Sequence, residues 1–257
     1  MSRGLEASRP VALLVAAACA ACAGPPRTQS TGSDPRAVRI ADQVIAALGG
    51  RARWDALVGL EWTFETAVGD TLRPGRRHAW NKHTGWHRVE GTNRQGIPFV
   101  FLNQLDSGEG RAWMGGAPMV GDTLGKLMRR ARSLWINDSY WMLMPYKLRD
   151  PGVHLGYGGD TTIASTVYGR LTLRFDHVGD TPGDRYWVYV NRANHRVERW
   201  DYVLEGEQPP PETWTWEGWE QHGGLWFPTV HKSGDRTVFT RRIETVQAFP
   251  AATFAAP

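Results

Sequence analysis

The chain has 257 residues, 41% of them hydrophobic and 22% charged, which suits one β-rich domain, or at most two, with enough apolar side chains for a core. The formal charge is +4, and setting aside Arg3, Arg9 and Glu6 with the leader described below removes two cations and one anion to leave +3. The basic residues are scattered except around Lys126, Arg129, Arg130 and Arg132. This balance argues against a nucleic-acid partner and leaves attraction to anionic lipid headgroups open.

Arg3 and Arg9 precede an apolar run over 11–22 that ends in small residues, and a Pro/Gly/Ser-rich stretch follows. That order reads as an export signal over 1–22 and a flexible tether over 23–34. Both cysteines, Cys19 and Cys22, sit at the end of the apolar run. A cysteine after small residues resembles the bacterial lipoprotein signal, in which the thiol is acylated and becomes the new N-terminus. Cys22 is favoured over Cys19, because cleavage there leaves no orphan thiol and a longer apolar run; an ordinary cleaved signal is the alternative. The mature domain is then expected to carry no disulfide.

Asp34-Pro35 marks a helix start, with Val38, Ala41, Val44, Ile45 and Leu48 at helical spacing and Gly49-Gly50 as the stop. From Leu60 the period changes to that of a strand. Strands follow at 76–90, as a hairpin turning over 81–85, and at 97–105 and 110–116. Residues 121–148 interrupt them. Leu124, Leu127, Met128, Ala131, Leu134 and Trp135 form one apolar stripe behind an Asp122 or Thr123 cap. Asp138 is expected to cap a second, short helix that Pro145 ends. That second helix is apolar nearly all round, so it should be enclosed by protein; it is far short of the roughly 20 residues that span a bilayer.

Strands resume after Pro151. They include 168–175, a hairpin with its turn at 191–194, a stretch that puts Trp214 and Trp216 on one face before Gly218, a Gly223-Gly224 hairpin and a closing strand from Arg236. The total is about eleven strands, with no internal repeat.

The order of these elements, with the Gly224-Leu225-Trp226-Phe227-Pro228 hairpin, resembles the LolA/LolB-like superfamily of periplasmic and outer-membrane lipoprotein carriers over residues 35–250. The resemblance implies a mainly β (α+β) domain: a curved, incomplete antiparallel β-barrel with an N-terminal helix and a helical insertion covering its concave face. It also implies an envelope location. A sheet that curves without closing needs apolar cover on its inner face. Met128, Met142 and Met144 suit a cover that re-packs, and each buried methylene of an acyl chain would contribute about 0.8 kcal/mol.

The expectation is therefore a non-catalytic, monomeric envelope lipoprotein. It would hold a lipid, an acyl chain or an acylated protein against Trp135, Trp141, Met142, Met144, Tyr186, Val188, Trp214 and Trp216. An N-terminal acyl anchor would keep it at the membrane surface, and no cofactor or metal is expected. The sequence leaves open whether the insertion is a permanent plug or a movable cover.

Two alternatives concern other chemistry. His78, His83 and His87 lie on one predicted hairpin, where His78 and His87 could approach each other as parts of an enzyme or metal site; exposed strand histidines are the simpler reading. The remaining five histidines, His154, His177, His195, His222 and His231, are dispersed. Trp214 and Trp216, with Glu212 and Glu217 nearby, could stack on sugar rings, although paired indoles on a strand are more often packing residues. Asp180 and Asp184 lie in a Gly/Pro-rich segment that reads as a turn.

Overall fold

The computed structural model describes residues 32–176, 183–255 and 257; Cys19, Cys22, the leader, most of the tether, His177 and most of the 180–184 turn lie outside the described residues. Helix α1 (Pro35–Ala47) begins where Asp34 Oδ1 accepts the amide hydrogens of Arg36 and Ala37 at 2.6 and 3.4 Å. Gly49 and Gly50, at φ +114° and +90°, turn the chain into the short helix α2 (Arg51–Ala56). The last residues assigned to the tether are part of the fold. Asp34 N donates to Leu155 O at 2.7 Å, and Leu155 N donates to Ser33 Oγ at 3.0 Å.

A nine-stranded antiparallel sheet follows. Its members are β1 (Gly59–Val68), β2 (Thr71–Leu72), β3 (Arg76–Asn81), β4 (Trp86–Thr92), β5 (Pro98–Gln104), β6 (Gly110–Met114) and β7 (Ala117–Pro118), joined late in the chain by β15 (Val230–Ser233) and β16 (Arg236–Val246). The strand order is β15-β16-β1-β3-β4-β5-β6-β7, with β2 folded back on β1. A five-stranded antiparallel sheet contains β8 (Val153–Ile163), β9 (Thr166–Phe175), β10 (Arg185–Asn191), β11 (Val197–Val203) and β12 (Glu212–Thr215), in the order β12-β11-β10-β9-β8. Strands β13 (Glu220–His222) and β14 (Leu225–Phe227) form a separate hairpin.

The two sheets meet at β12 and β15. Lys232 N donates to Thr215 Oγ1 at 3.1 Å, His231 Nδ1 lies 3.2 Å from Thr215 O, and Glu217 forms a lone bridge with Val230. Gly218 permits this junction: at φ +63°, a Cβ there would lie 2.4 Å from Thr229 Oγ1. The combined surface runs from β7 to β8 without pairing those two edges, so the barrel is incomplete, as expected. The strand count exceeds the expected eleven because two-residue strands such as β2 and β7 carry no readable period.

Alternation divides the sheet into two faces. In β1, Leu60, Trp62 and Phe64 are buried on the inside. Glu61 and Glu65 lie outside, where they pair with Arg77 and Arg241.

Between β7 and β8 lies one helix, α3 (Gly121–Lys147), and not the two expected. Asp138 is no cap: it sits inside the helix, fully buried. Pro145 lies in the last turn, where the break it causes is short. Its missing N–H leaves the Trp141 carbonyl without a helical donor, and the His231 ring lies against that carbonyl. Among the described residues no helix is long and apolar enough to cross a membrane.

Candidate functional site

The inner face of the curved sheet is covered by α3. All eight residues proposed from sequence to contact a ligand (Trp135, Trp141, Met142, Met144, Tyr186, Val188, Trp214 and Trp216) come together in one apolar core, each at most 1% exposed. In this conformation they are closed off from solvent. Strand register explains the clustering. Trp200 on β11 stands opposite Val188 on β10 and Trp214 on β12, while Tyr186 stands opposite Tyr202 and Leu173. Trp141 descends from α3 onto this row, with ring centroids 4.9 Å from Trp200 and 4.8 Å from Trp214 in edge-to-face contact. Trp216 meets Trp200 edge-on at 5.1 Å.

Trp214 and Trp216 therefore present no face to solvent, and stacking of a sugar on them has no surface to use. Glu212 is engaged as well, accepting from the Trp214 indole and pairing with Arg236 at 2.9 Å.

The C-terminal turn of α3 is fastened by Tyr146. Its hydroxyl lies 2.9 Å from the Leu48 carbonyl at the end of α1 and 2.8 Å from the Trp226 carbonyl in the β14 hairpin, and its ring stacks on Trp54 at 4.4 Å. The Leu-Trp-Phe hairpin is thus a clasp that joins α1, α3 and the sheet.

A second, polar assembly lies towards the middle of α3. Arg76 donates to both oxygens of Asp138, at 2.6 and 2.9 Å, and Asn137 Nδ2 donates to Oδ1 at 2.8 Å. His78 Nε2 lies 3.1 Å from Asp138 Oδ2, His78 Nδ1 lies 3.0 Å from His87 Nε2, and His87 Nδ1 lies 2.9 Å from Asn103 Oδ1. His78, His87 and Asp138 are 0% exposed. Register again places them: Trp62 is opposite His78, and His87 is opposite Asn103. Trp62 stacks flat on His78 at 4.6 Å, and Trp135 tilts over His87 at 5.1 Å.

Burial alone would raise the Asp138 carboxyl, but the Arg76 guanidinium and the hydrogen bonds from His78 and Arg76 hold it well below the carboxylate range. Burial lowers His78 despite its carboxylate partner, and it pushes His87 down to about 3 with His78 adding to the effect. Burial likewise takes His231 to about 3, against the carbonyls of Thr215 and Trp141.

The expected approach of His78 to His87 is present, but these are core residues and not exposed strand histidines. His83 does not join them; its Nε2 lies 3.0 Å from the Leu57 carbonyl. Among the described residues no group of three or more histidine, cysteine or acidic side chains is arranged to hold a metal ion.

Asp138, Arg76 and Asn103 were not anticipated as site residues. The helical phase held the signal for Asp138, which continues the stripe of Ala131 and Leu134 at steps of seven and four and so falls on the buried side. Nε1 of Trp62 and Trp80 and Oγ of Ser139, near this assembly, are buried without a hydrogen-bond partner, as are Nε1 of Trp200 and Trp216 in the aromatic core.

A LolA superfamily protein from Nitrosomonas europaea superimposes with a TM-score of 0.53 at 13% identity, covering 83% of this chain and 96% of that one. A protein of the DUF1329 family from Desulfovibrio piger gives 0.52 at 12% identity, covering 86% and 98%. An outer membrane lipoprotein-sorting protein domain from Vibrio parahaemolyticus gives 0.51 at 11% identity, covering 86% and 96%. The fold is LolA-like. No protein-family model and no curated protein matches the sequence. At these identities the LolA-like likeness concerns architecture: an unclosed sheet with a helix across its inner face.

Proposed function

We propose that this LolA-like chain is an exported, non-catalytic binder of an apolar ligand held between the inner face of the sheet and α3. The ligand would be an acyl chain, a lipid or an acylated protein. The protein would act as a monomer in the bacterial envelope, tethered by an acyl group on Cys22 or Cys19. The observation that carries this reading is the apolar inner face of an unclosed sheet, covered by one helix. In the described conformation that face is occupied by the chain's own side chains, so binding requires α3 to move. Methionines 128, 142 and 144 help such movement, since an unbranched thioether re-packs at little cost. The unpartnered indole N–H groups suit a ligand that carries oxygen acceptors on an apolar body.

The test uses the tryptophans as reporters. Titration with 9,10-dibromostearate should give saturable quenching of the protein's fluorescence, with stearate as the competitor that reverses it. Native mass spectrometry of freshly purified protein should show bound lipid. Absence of both signals would dismiss the reading.

A further inference from the structure

Helix α3 is joined to the nine-stranded sheet by the chain Arg76–Asp138–His78–His87–Asn103, and the count of its hydrogens is informative. Three contacts link the two rings to each other and to two acceptors, the Asp138 carboxylate and Asn103 Oδ1. Two neutral imidazoles own one N–H each, so three contacts cannot all be filled. Either the Asn103 amide turns its N–H towards His87, or the pair takes up one proton. One added proton is therefore accommodated with α3 in place.

A second proton is not. It sets two imidazolium rings against each other with their nitrogens 3.0 Å apart, in a site without solvent exposure. The charged groups facing the pair are Arg76 on β3 and Asp138 on α3, with Arg130 of α3 and Arg94 of the β4–β5 loop close enough to act on one another. Trp62 of β1, Asn103 of β5 and Trp135 of α3 also touch the pair and carry no charge. One carboxylate thus faces two imidazolium ions and Arg76, with Arg130 nearby.

We propose that the His78–His87 pair is an acid-operated latch: a second proton puts like charges together in a site that α3 seals from water, and so favours the state in which α3 lifts from the sheet, the rings are solvated and the apolar inner face is bared. The proposal rests on the reading that α3 covers the binding face. Once α3 has lifted, the rings return to an ordinary pKa near 6.5, so the second proton favours the open form about tenfold per pH unit below that value.

Hydrogen exchange of the full chain, read by mass spectrometry and corrected for intrinsic exchange rates, tests this. Between about pH 7 and about pH 5, amides within 131–144 should open at least about tenfold more often, through an opening of lower free energy than the one that exposes β10 and β11. His87→Gln keeps an amide at the ring's place and cannot titrate, so it should abolish the response. An α3 that stays closed in acid overturns the latch. So does an α3 that opens only with β10 and β11, at the same opening free energy, or an unchanged response in both His87→Gln and His78→Gln. If neither variant folds, the wild-type comparison of α3 with β10 and β11 still decides. Dibromostearate titrated in parallel at about pH 5 separates the two readings. Acid opening without quenching removes the acyl-binding function and leaves the latch; quenching without acid opening does the reverse.

Discussion

The two halves of α3 are held in opposite ways. The first half, up to Asp138, lies over β5 and β6 on a small apolar cluster (Val89, Phe99, Phe101, Ala112, Met128, Ala131 and Leu134) bordered by partly exposed Met114, Met119, Leu124 and Leu127. Trp135 and Ile136 carry it into the edge of the large core, and its ionic attachment runs through Asp138 to Arg76 and His78. The second half enters the large aromatic core through Tyr140, Trp141, Leu143 and Tyr146, each at most 2% exposed. Aromatic burial contributes the greater area, and the titratable ring packed on this half is His231, against Trp141. The ionic link contributes register and direction, and it responds to protons. A helix held in this way has a firm end and a releasable one.

The largest expected effects break one half at a time. Trp141→Ala removes the indole shared by Trp200 and Trp214 and should cost about 3–5 kcal/mol in urea-induced unfolding. Asp138→Ala leaves Arg76 facing a neutral core and His78 without its acceptor, and should cost about 3–5 kcal/mol by the same measurement. If Asp138→Ala costs less than about 1 kcal/mol, the ion pair does not hold this part of α3.

Acid should come next, and the sign is determinate. His87 and His231 have folded pKa values of about 3, below the ordinary 6.5, so the unfolded chain binds more protons throughout that interval. Stability therefore falls as pH drops below about 6.5, by about 2 kcal/mol per histidine at pH 5, or about 4 kcal/mol for the pair. His78 acts in the same direction, and Asp138 adds a loss at still lower pH as its carboxylate is protonated. Chemical unfolding at a series of pH values checks this, and a flat profile from pH 7 to 5 would contradict the burial of neutral rings. His231→Gln should remove its own share without altering the response of α3 near Asp138, which sharpens the division between the halves.

Smaller effects are expected at the clasp and outside. Tyr146→Phe keeps the stack on Trp54 but leaves the Trp226 carbonyl short of a donor, for a loss of about 1 kcal/mol in thermal unfolding. Arg77→Ala, on the outer face with Glu61 and Glu90, should change stability by no more than about 0.5 kcal/mol.

Much of the architecture was legible because it is local. Asp34-Pro35 and Gly49-Gly50 bracket α1, the alternation of Trp62 and Phe64 with Glu61 and Thr63 marks β1, and the turn over 81–85 separates β3 from β4 with little error. The reading failed where a residue's usual local role was overridden at long range. Asp138 resembles a cap because an isolated aspartate in a helix interior normally lacks a partner, and its partners lie about sixty residues away on β3. His78 and His87 looked like surface residues because a strand's period does not say which face a histidine takes.

What the sequence determined by itself was the order of elements, the apolar character of the insertion and the positions of its turns, since propensity and period act over a few residues. What only the tertiary structure decided was the role of each polar side chain on the inner face. Whether Asp138, His78 or His231 is a surface group, a ligand or a core contact depends on which strand the register brings opposite it. That is settled by burial and charge pairing across the whole sheet, not by neighbours in the chain.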